Sequence, residues 1–279
     1  MIMNKRIAVL LTVFNRRETT LTCLESLFSG SVPEGYSIEV YLTDDGCTDG
    51  TTDAVRERFP DVRIVAGDGS LYWNRGMIAA WNEAAKSDPE FYLWLNDDTT
   101  LLSDAIGNLI RTAEKNTGSI IVGTCHASDN PDRITYGGRD TNMKLIDPKD
   151  SGKTSRCKTF NGNIVLVPAE VYRKLGTLDP VFRHSLGDFD YGLRASESGI
   201  DSVVAPGFQG ICDTHPNIAK WADSSKPFSE RWRHFMSPTG ANPFEFFRFR
   251  RRHSGLLPAC MTFCSNFIHV LFPALWIKQ

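Results

Sequence analysis

Apolar residues in this chain fall in short runs that end abruptly in polar or acidic residues, and the runs alternate with stretches of helical period. Residues 7–13 form a continuous, branched apolar run of the kind covered on both faces of a sheet, and Phe14-Asn15-Arg16-Arg17 ends it. Residues 18–28 then place Leu21, Leu24, Leu27 and Phe28 on one helical face. The same reading predicts strands at 37–43, 62–65, 91–95, 120–122, 162–168 and 202–205. It predicts helices at 51–59, 73–86, 169–175 and 188–198, and one capped by Ser103 or Asp104 that runs to about Lys115. Residues 126–158 are polar and rich in Asp, Gly and Lys, which fits a loop or an antiparallel excursion. Strand–helix alternation of this kind predicts an α/β fold with a doubly wound, parallel sheet.

Two of the strands end in acids, at Asp44-Asp45 and at Asn96-Asp97-Asp98. In open α/β sheets ligands bind just outside the carboxyl ends of the strands. Buried carboxylates need a cationic partner, and clustered ones favour a hard divalent cation that shares its coordination with substrate phosphates. Thr12-Val13-Phe14-Asn15-Arg16 offers an aromatic ring and an amide to a nucleobase, and Asp44-Asp45 offers carboxylates to a base N–H or to ribose hydroxyls. The glycines of the 67–76 segment fit neither a Walker loop nor a dinucleotide fingerprint, but Arg75 within it can reach phosphate. In Gly187-Asp188-Phe189-Asp190-Tyr191-Gly192-Leu193-Arg194, Asp190 and Arg194 are spaced i,i+4 as a structural pair. Asp188, at the start of that helix, is either its N-cap or a general base. His215, after the last strand, is either a structural histidine or the completion of a metal site.

Charge is unevenly spread. From Lys226 onward there are eight Lys or Arg and two acids, a balance of +6, which leaves −8 for the rest of a chain of net −2. A basic tail on an acidic body suggests contact with phosphate groups. Residues 255–277 carry no formal charge, and their length would span a bilayer, but Pro258, Asn266, His269 and Pro273 interrupt them. We expect an amphipathic segment lying on the inner face of a membrane. The alternatives are packing on the catalytic domain or a homodimer formed through this extension. The seven cysteines are odd in number and contain no CxxC pair, which fits a reducing cytoplasm better than a disulfide or zinc framework. The first apolar run is too short for a signal peptide.

Taken in order over residues 5–216, the motifs at 12–16, 44–51, 69–76, 94–98 and 187–194 resemble the inverting family 2 glycosyltransferases of the GT-A fold, with bacterial rhamnosyltransferase-like members nearest. The resemblance implies a Rossmann-like, mostly parallel sheet with flanking helices in a catalytic domain at 1–216, and a helical, aromatic and basic extension at 217–279. It implies that Thr12, Phe14, Asn15, Arg17, Asp45, Asp68, Arg75, Asn96 and Asp97 serve the nucleotide. It also implies that Asp98 and His215 hold Mn²⁺ or Mg²⁺, that Asp188 is the catalytic base, and that Trp73, Gly162 and Asn163 meet the donor or acceptor sugar. The partners implied are a UDP- or dTDP-linked sugar donor, a glycan or lipid-linked acceptor, and the cytoplasmic face of the inner membrane. The product belongs to surface polysaccharide, lipopolysaccharide included. Two positions depart from the family pattern. Asn96 replaces the first acid of the Asp-x-Asp motif, and Gly187 stands where an acid often precedes the base.

Two other classes compete. A nucleotidyltransferase would carry a glycine-rich basic loop after the first strand, and Phe14-Asn15-Arg16-Arg17-Glu18 has no glycine. A non-enzymatic sugar-nucleotide or nucleic-acid module would suit the Arg/Phe-rich tail. The acidic body and the carboxylates at the strand tips argue against nucleic acid as a partner.

Overall fold

A computed structural model describes residues 4–148, 154–214 and 220–275. The centre of the fold is an eight-stranded sheet whose spatial order is β10 (Ser155–Cys157), β13 (Ser202–Val204), β6 (Ile120–Val122), β12 (Ile164–Pro168), β4 (Phe91–Leu95), β1 (Lys5–Val13), β2 (Tyr36–Asp44) and β3 (Arg63–Ala66). β4, β1, β2 and β3 run parallel, as the alternating pattern predicts. β12 runs antiparallel to both β4 and β6, and β10 runs antiparallel to β13, so the sheet is mixed and mostly parallel. The register pairs Ile164 with Leu95, which brings the start of β12 to the carboxyl end of β4.

Alternation along the strands sorts the core into two layers. Ile7, Val9, Leu11 and Val13 pack with Leu21, Leu24 and Leu27 of α1 (Arg17–Ser29), with Ala54 and Val55 of α2 (Thr51–Arg58), and with Leu109 and Ile110 of α4 (Ala105–Lys115). Ala8 and Leu10 face the other way, onto Met77, Ala80 and Trp81 of α3 (Tyr72–Ala84), Val171 of α5 (Ala169–Leu175) and Tyr191 of α6 (Gly187–Glu197). Asp104 takes the N-cap position of α4 but makes no capping hydrogen bond. Its carboxylate pairs instead with Arg111.

The polar 126–158 stretch is the antiparallel excursion. β7 (Cys125–His126) and β8 (Ile134–Tyr136) join β5 (Thr100–Leu101) and β14 (Gly210–Ile211) in a four-stranded sheet, and β9 (Gly138–Arg139) pairs with β11 (Thr159–Phe160). The tail folds into α7 (Phe228–Met236), α8 (Pro243–Ser254) and α9 (Leu256–Leu271) around a small core of Trp221, Phe235, Ala241 and Val270. Pro243 opens α8 and the Asn242 side chain caps it, accepting from Phe244 N at 3.2 Å and Glu245 N at 3.3 Å. α9 is 16 residues long, and no helix among the described residues is long and apolar enough to cross a membrane.

α3 approaches the sheet closely because of one glycine. A Cβ on Gly76 would lie 2.1 Å from Thr12 Oγ1 and 2.8 Å from Thr12 Cβ. The Gly76 carbonyl also accepts a hydrogen bond from Thr43 Oγ1 at 2.8 Å. Thr12 is therefore covered by α3. Gly76→Ala should destabilise the fold by about 1–3 kcal/mol, the usual cost of overpacking a filled contact, read as a lower urea midpoint at unchanged m-value.

Candidate active site

The carboxyl ends of β1, β2 and β4 open onto one cleft, bordered by the starts of β12 and α6. Phe14 projects from the end of β1 and is 53% exposed. Asn15 follows in the left-handed region at φ 52°, and its Oδ1 accepts from Thr48 N at 2.7 Å. The Arg17 backbone N–H donates to Asp49 Oδ2 at 3.2 Å, and its side chain pairs with Glu18. Asp45 is buried and saturated by backbone amides: Gly69 N at 2.9 Å and Leu71 N at 3.2 Å on Oδ1, and Tyr72 N at 2.9 Å on Oδ2. It thus holds the 67–72 loop and the first turn of α3. Asp68, in that loop, accepts from Ser70 N at 2.8 Å, and Arg75 Nε donates to the Pro180 carbonyl at 2.9 Å. Thr12, Phe14, Asn15, Asp45 and Asp68, the residues expected to serve the nucleoside, therefore gather at adjacent strand ends, while Arg75 points to the loop before α6.

Arg16 is the residue that sequence reasoning passed over. Its Nη1 donates to Asp97 Oδ1 and its Nη2 to Asp98 Oδ2, both at 2.9 Å, so one guanidinium spans two neighbouring carboxylates. Asp97 is only 5% exposed. Burial pushes its pKa up to about 7, against the pull of Arg16 and with a further push from Asp98. Burial works against the charge of Arg16, but the two carboxylates outweigh it and raise its pKa. Asp97 Oδ2 is buried without a hydrogen-bond partner, and adjacent carboxylates are a hard-oxygen donor set. That chemistry fits a divalent cation. No group of three or more His, Cys, Asp or Glu able to hold a metal occurs among the described residues, and His215 lies outside them. His184, edge-on to Tyr72 and kept below its usual pKa by burial and the nearby Arg16 charge, is also unannounced by any motif.

A chain of contacts links the acids to Asp188. Asn96 Oδ1 accepts from Trp73 Nε1 at 2.7 Å. The Trp73 ring lies against Gly162, where an added Cβ would come within 2.6 Å of it and 3.3 Å of Asp188 Cβ. Gly162 N donates to Asp188 Oδ2 at 3.1 Å, and Phe189 N donates to Oδ1 at 2.8 Å. The surrounding protein desolvates Asp188 and lifts its pKa to about 6, although these amides and the Arg139 charge favour the ionised form. Arg139 is a second residue that no motif flagged. Asn163 is turned inward: Nδ2 faces Cys212 Sγ at 3.5 Å, and its carbonyl accepts from Asn96 N at 3.0 Å.

Gly187 has a structural reason. A Cβ there would lie 1.7 Å from Asn74 Oδ1. Asn74 is fully buried and its Nδ2 donates to the carbonyls of Asp179 at 2.9 Å and Phe182 at 2.8 Å. A side chain at 187 would therefore break the tie between α3 and the turn that presents Asp188.

The model of the family "Glycosyl transferase family 2" matches residues 8–168 of the 279. Among solved structures, residues 1–349 of S. aureus TarS in complex with UDP superpose with a TM-score of 0.61 at 12% identity, over 95% of this chain and 90% of that one. A mannosyltransferase from Pyrobaculum calidifontis, in complex with GDP-Man and Mn²⁺, gives 0.57 at 17% identity, over 99% and 77%. A longer TarS chain gives 0.59 at 12% identity, and this chain spans 43% of its length. At these identities the likeness is one of fold, the GT-A arrangement. No curated protein matches the sequence.

Removing Arg16 should expose the cost of the acid pair. Arg16→Ala is expected to lower stability by roughly 1–3 kcal/mol, below the usual cost of breaking a buried pair because the guanidinium is partly exposed. Asp97 has a folded-state pKa raised from 3.8 to about 7, so the cost of its burial to folding grows as pH rises between those values and is full above about 7. Urea titrations without added metal should therefore show a larger loss at pH 8 than at pH 5. Equal losses at both would remove the electrostatic account.

Proposed function

The chain belongs to glycosyltransferase family 2, and from that membership we propose that it is an inverting enzyme moving a sugar from a nucleoside-diphosphate donor to a hydroxyl of a glycan or lipid-linked acceptor. One observation carries the reading. Asp188 stands at the cleft with two backbone amides fixing its carboxylate and a pKa lifted to about 6, joined through Gly162, Trp73 and Asn96 to an acid pair at the end of β4. A general base works best when its pKa lies near the operating pH.

In the proposed reaction the acceptor oxygen forms a bond to the anomeric carbon as the bond to the diphosphate oxygen breaks. The nucleoside diphosphate leaves with the electron pair, and the acceptor proton passes to Asp188. Phe14 and Asn15 flank the nucleoside, with Arg17 and Asp68 at its edge, and Asp45 shapes that pocket by holding the 67–72 loop; Thr12, covered by α3, supports the strand end from beneath. Trp73 and Gly162 line the sugar position, and Asn163 supports it from behind. Arg16 supplies positive charge on the diphosphate side, while Arg75 braces the loop before α6. A Mn²⁺ or Mg²⁺ ion held by Asp98, with Asp97 and His215, would neutralise charge on the leaving diphosphate. The use of Mn²⁺ by the Pyrobaculum calidifontis mannosyltransferase supports that assignment. A UDP- or dTDP-linked donor, rhamnosyl transfer and a role in bacterial surface polysaccharide complete the reading.

The tail fits a membrane-facing role at the cytoplasmic side. Leu257, Met261, Cys264, Ile268 and Leu271 form one exposed stripe along α9, and Arg248, Arg250 and Arg251 are exposed on α8. Apolar surface beside arginine suits an interface of anionic lipid. Pairing two copies through the same face would instead bring like charges together. The protein should co-sediment with phosphatidylglycerol vesicles but not with phosphatidylcholine vesicles, and the bound fraction should fall with salt and on replacing Arg248, Arg250 and Arg251 by Gln. Indifference to both vesicles would remove the membrane role.

A panel of sugar nucleotides, screened by thermal shift with Mn²⁺ and then for hydrolysis, tests the activity. Asp188→Asn should cut turnover by about 10²–10⁴ while leaving UDP affinity intact. The base must be unprotonated to work. Turnover should therefore fall about tenfold per pH unit below about 6, where Asp188 holds its proton. Near-normal turnover by the Asn variant would overturn the assignment.

A further inference from the structure

The helix that presents Asp188 is held from outside the catalytic sheet. Two residues beyond Asp188, Asp190 is fully buried. Its Oδ2 accepts from Arg194 Nε at 2.9 Å within α6, the i,i+4 pair expected from the spacing. Its Oδ1 takes two more partners from α8: Arg252 Nη1, and His253 Nε2 at 2.9 Å. Arg252 also reaches Asp179 through Nη2, and His253 Nδ1 meets Glu197 Oε1 at 2.9 Å. At the other end of α8, Glu245 accepts from Arg183 Nε at 2.6 Å. The same helix therefore grips residues 179 and 183, which lead into α6, as well as 190 and 197 within it.

One cation is enough to balance one carboxylate, and Arg194 already provides it. The two from α8 are additional. Their effect is geometric: they fix the rotation and depth of the first turn of α6, which carries Asp188 on its opposite side. The turn before it is fixed as well, with Leu186 in the left-handed region at φ 73° and Gly187 pressed on Asn74. α6 is thus clamped between α3 and α8, with the Asp188 carboxylate held against Gly162 at the start of β12.

We propose that Arg252 and His253 are positioning residues for the Asp188 base, so that the C-terminal extension completes the catalytic site rather than only anchoring it. The inference rests on the reading of Asp188 as the base. It extends that reading to a segment beyond residues 8–168, where the family match ends. The groups that face Asp190 are Arg194 and Glu197 on its own helix, Arg252 and His253 on α8, and Asp179 in the preceding loop. Arg139 faces Asp188 from β9.

The test compares wild type with Arg252→Ala, Arg252→Lys and His253→Gln. Each is measured for hydrolysis of a donor found in the sugar-nucleotide panel, for UDP affinity, and for amide exchange by mass spectrometry. Arg252→Ala should lower kcat at least tenfold, change UDP affinity less than threefold, and move the acid limb of the pH–rate profile upward, because the Asp190 carboxylate, two residues from Asp188, loses a counter-cation. Arg252→Lys should regain part of kcat, since one ammonium cannot bridge Asp179 and Asp190 together. Exchange should quicken in residues 186–192 while β1 and β4 stay protected. Unchanged kcat and pH limb in Arg252→Ala, or an exchange increase spread evenly over the whole protein, would overturn the proposal. If Arg252→Ala does not fold, Arg252→Lys and His253→Gln carry the same comparison. If wild type turns over no donor, the reading of Asp188 fails separately, and the exchange result still decides whether α8 positions α6.

Discussion

The cost of burying carboxylates organises this molecule. An apolar sheet that ends in acids must give each acid a partner, because an unpaired buried charge costs more than most single contacts return. The chain uses three kinds of compensation. Asp45 is saturated by backbone amides from a loop that it thereby holds in place. Asp97 and Asp98 share a guanidinium delivered by the end of β1. Asp190 collects cations from two helices. Among the described residues Asp188 has no side-chain partner, only two backbone amides and a more distant arginine, and burial lifts its pKa to about 6, as it lifts that of Asp97 to about 7.

The same constraint explains the charge asymmetry between body and tail. The excess of acids in the body and of bases in the tail is partly internal. Arg252 and His253 are directed at Asp179, Asp190 and Glu197, whereas Arg248, Arg250 and Arg251 stay on the surface. The five basic residues of this stretch thus divide between holding α6 and facing outward. Helix geometry makes that division, because neighbours in sequence point to different sides of α8.

The strands, their acidic ends and the helices between them were legible because the periods of two and 3.6 survive in the apolar pattern. Asp190–Arg194 was legible because the pair is local. What was not legible depends on residues distant in sequence. Nothing at Arg16 announces that it will meet acids eighty-one positions later. Nothing in Arg252 or His253 distinguishes them from their basic neighbours. The antiparallel insertion of β12 was also hidden, since a short buried apolar run looks the same in either direction. Asp104 shows the limit at short range: it stands at the cap position, yet Arg111, seven residues on, takes its carboxylate.

The two departures from the family pattern follow from packing. Asn96 accepts the Trp73 indole N–H. A carboxylate could accept it as well, but would add a third negative charge beside Asp97 and Asp98, where one arginine already serves two. Gly187 gives up a side chain so that Asn74 can tie α3 to the loop before α6. In both places a charge is absent and a fixed contact stands in its stead. The first contact lies on the path from the acid pair to Asp188, and the second fixes the turn that presents Asp188. With fewer acids to hold it, the cleft keeps its geometry through an indole, a glycine contact and a buried amide, and α8 braces the far side of the same helix.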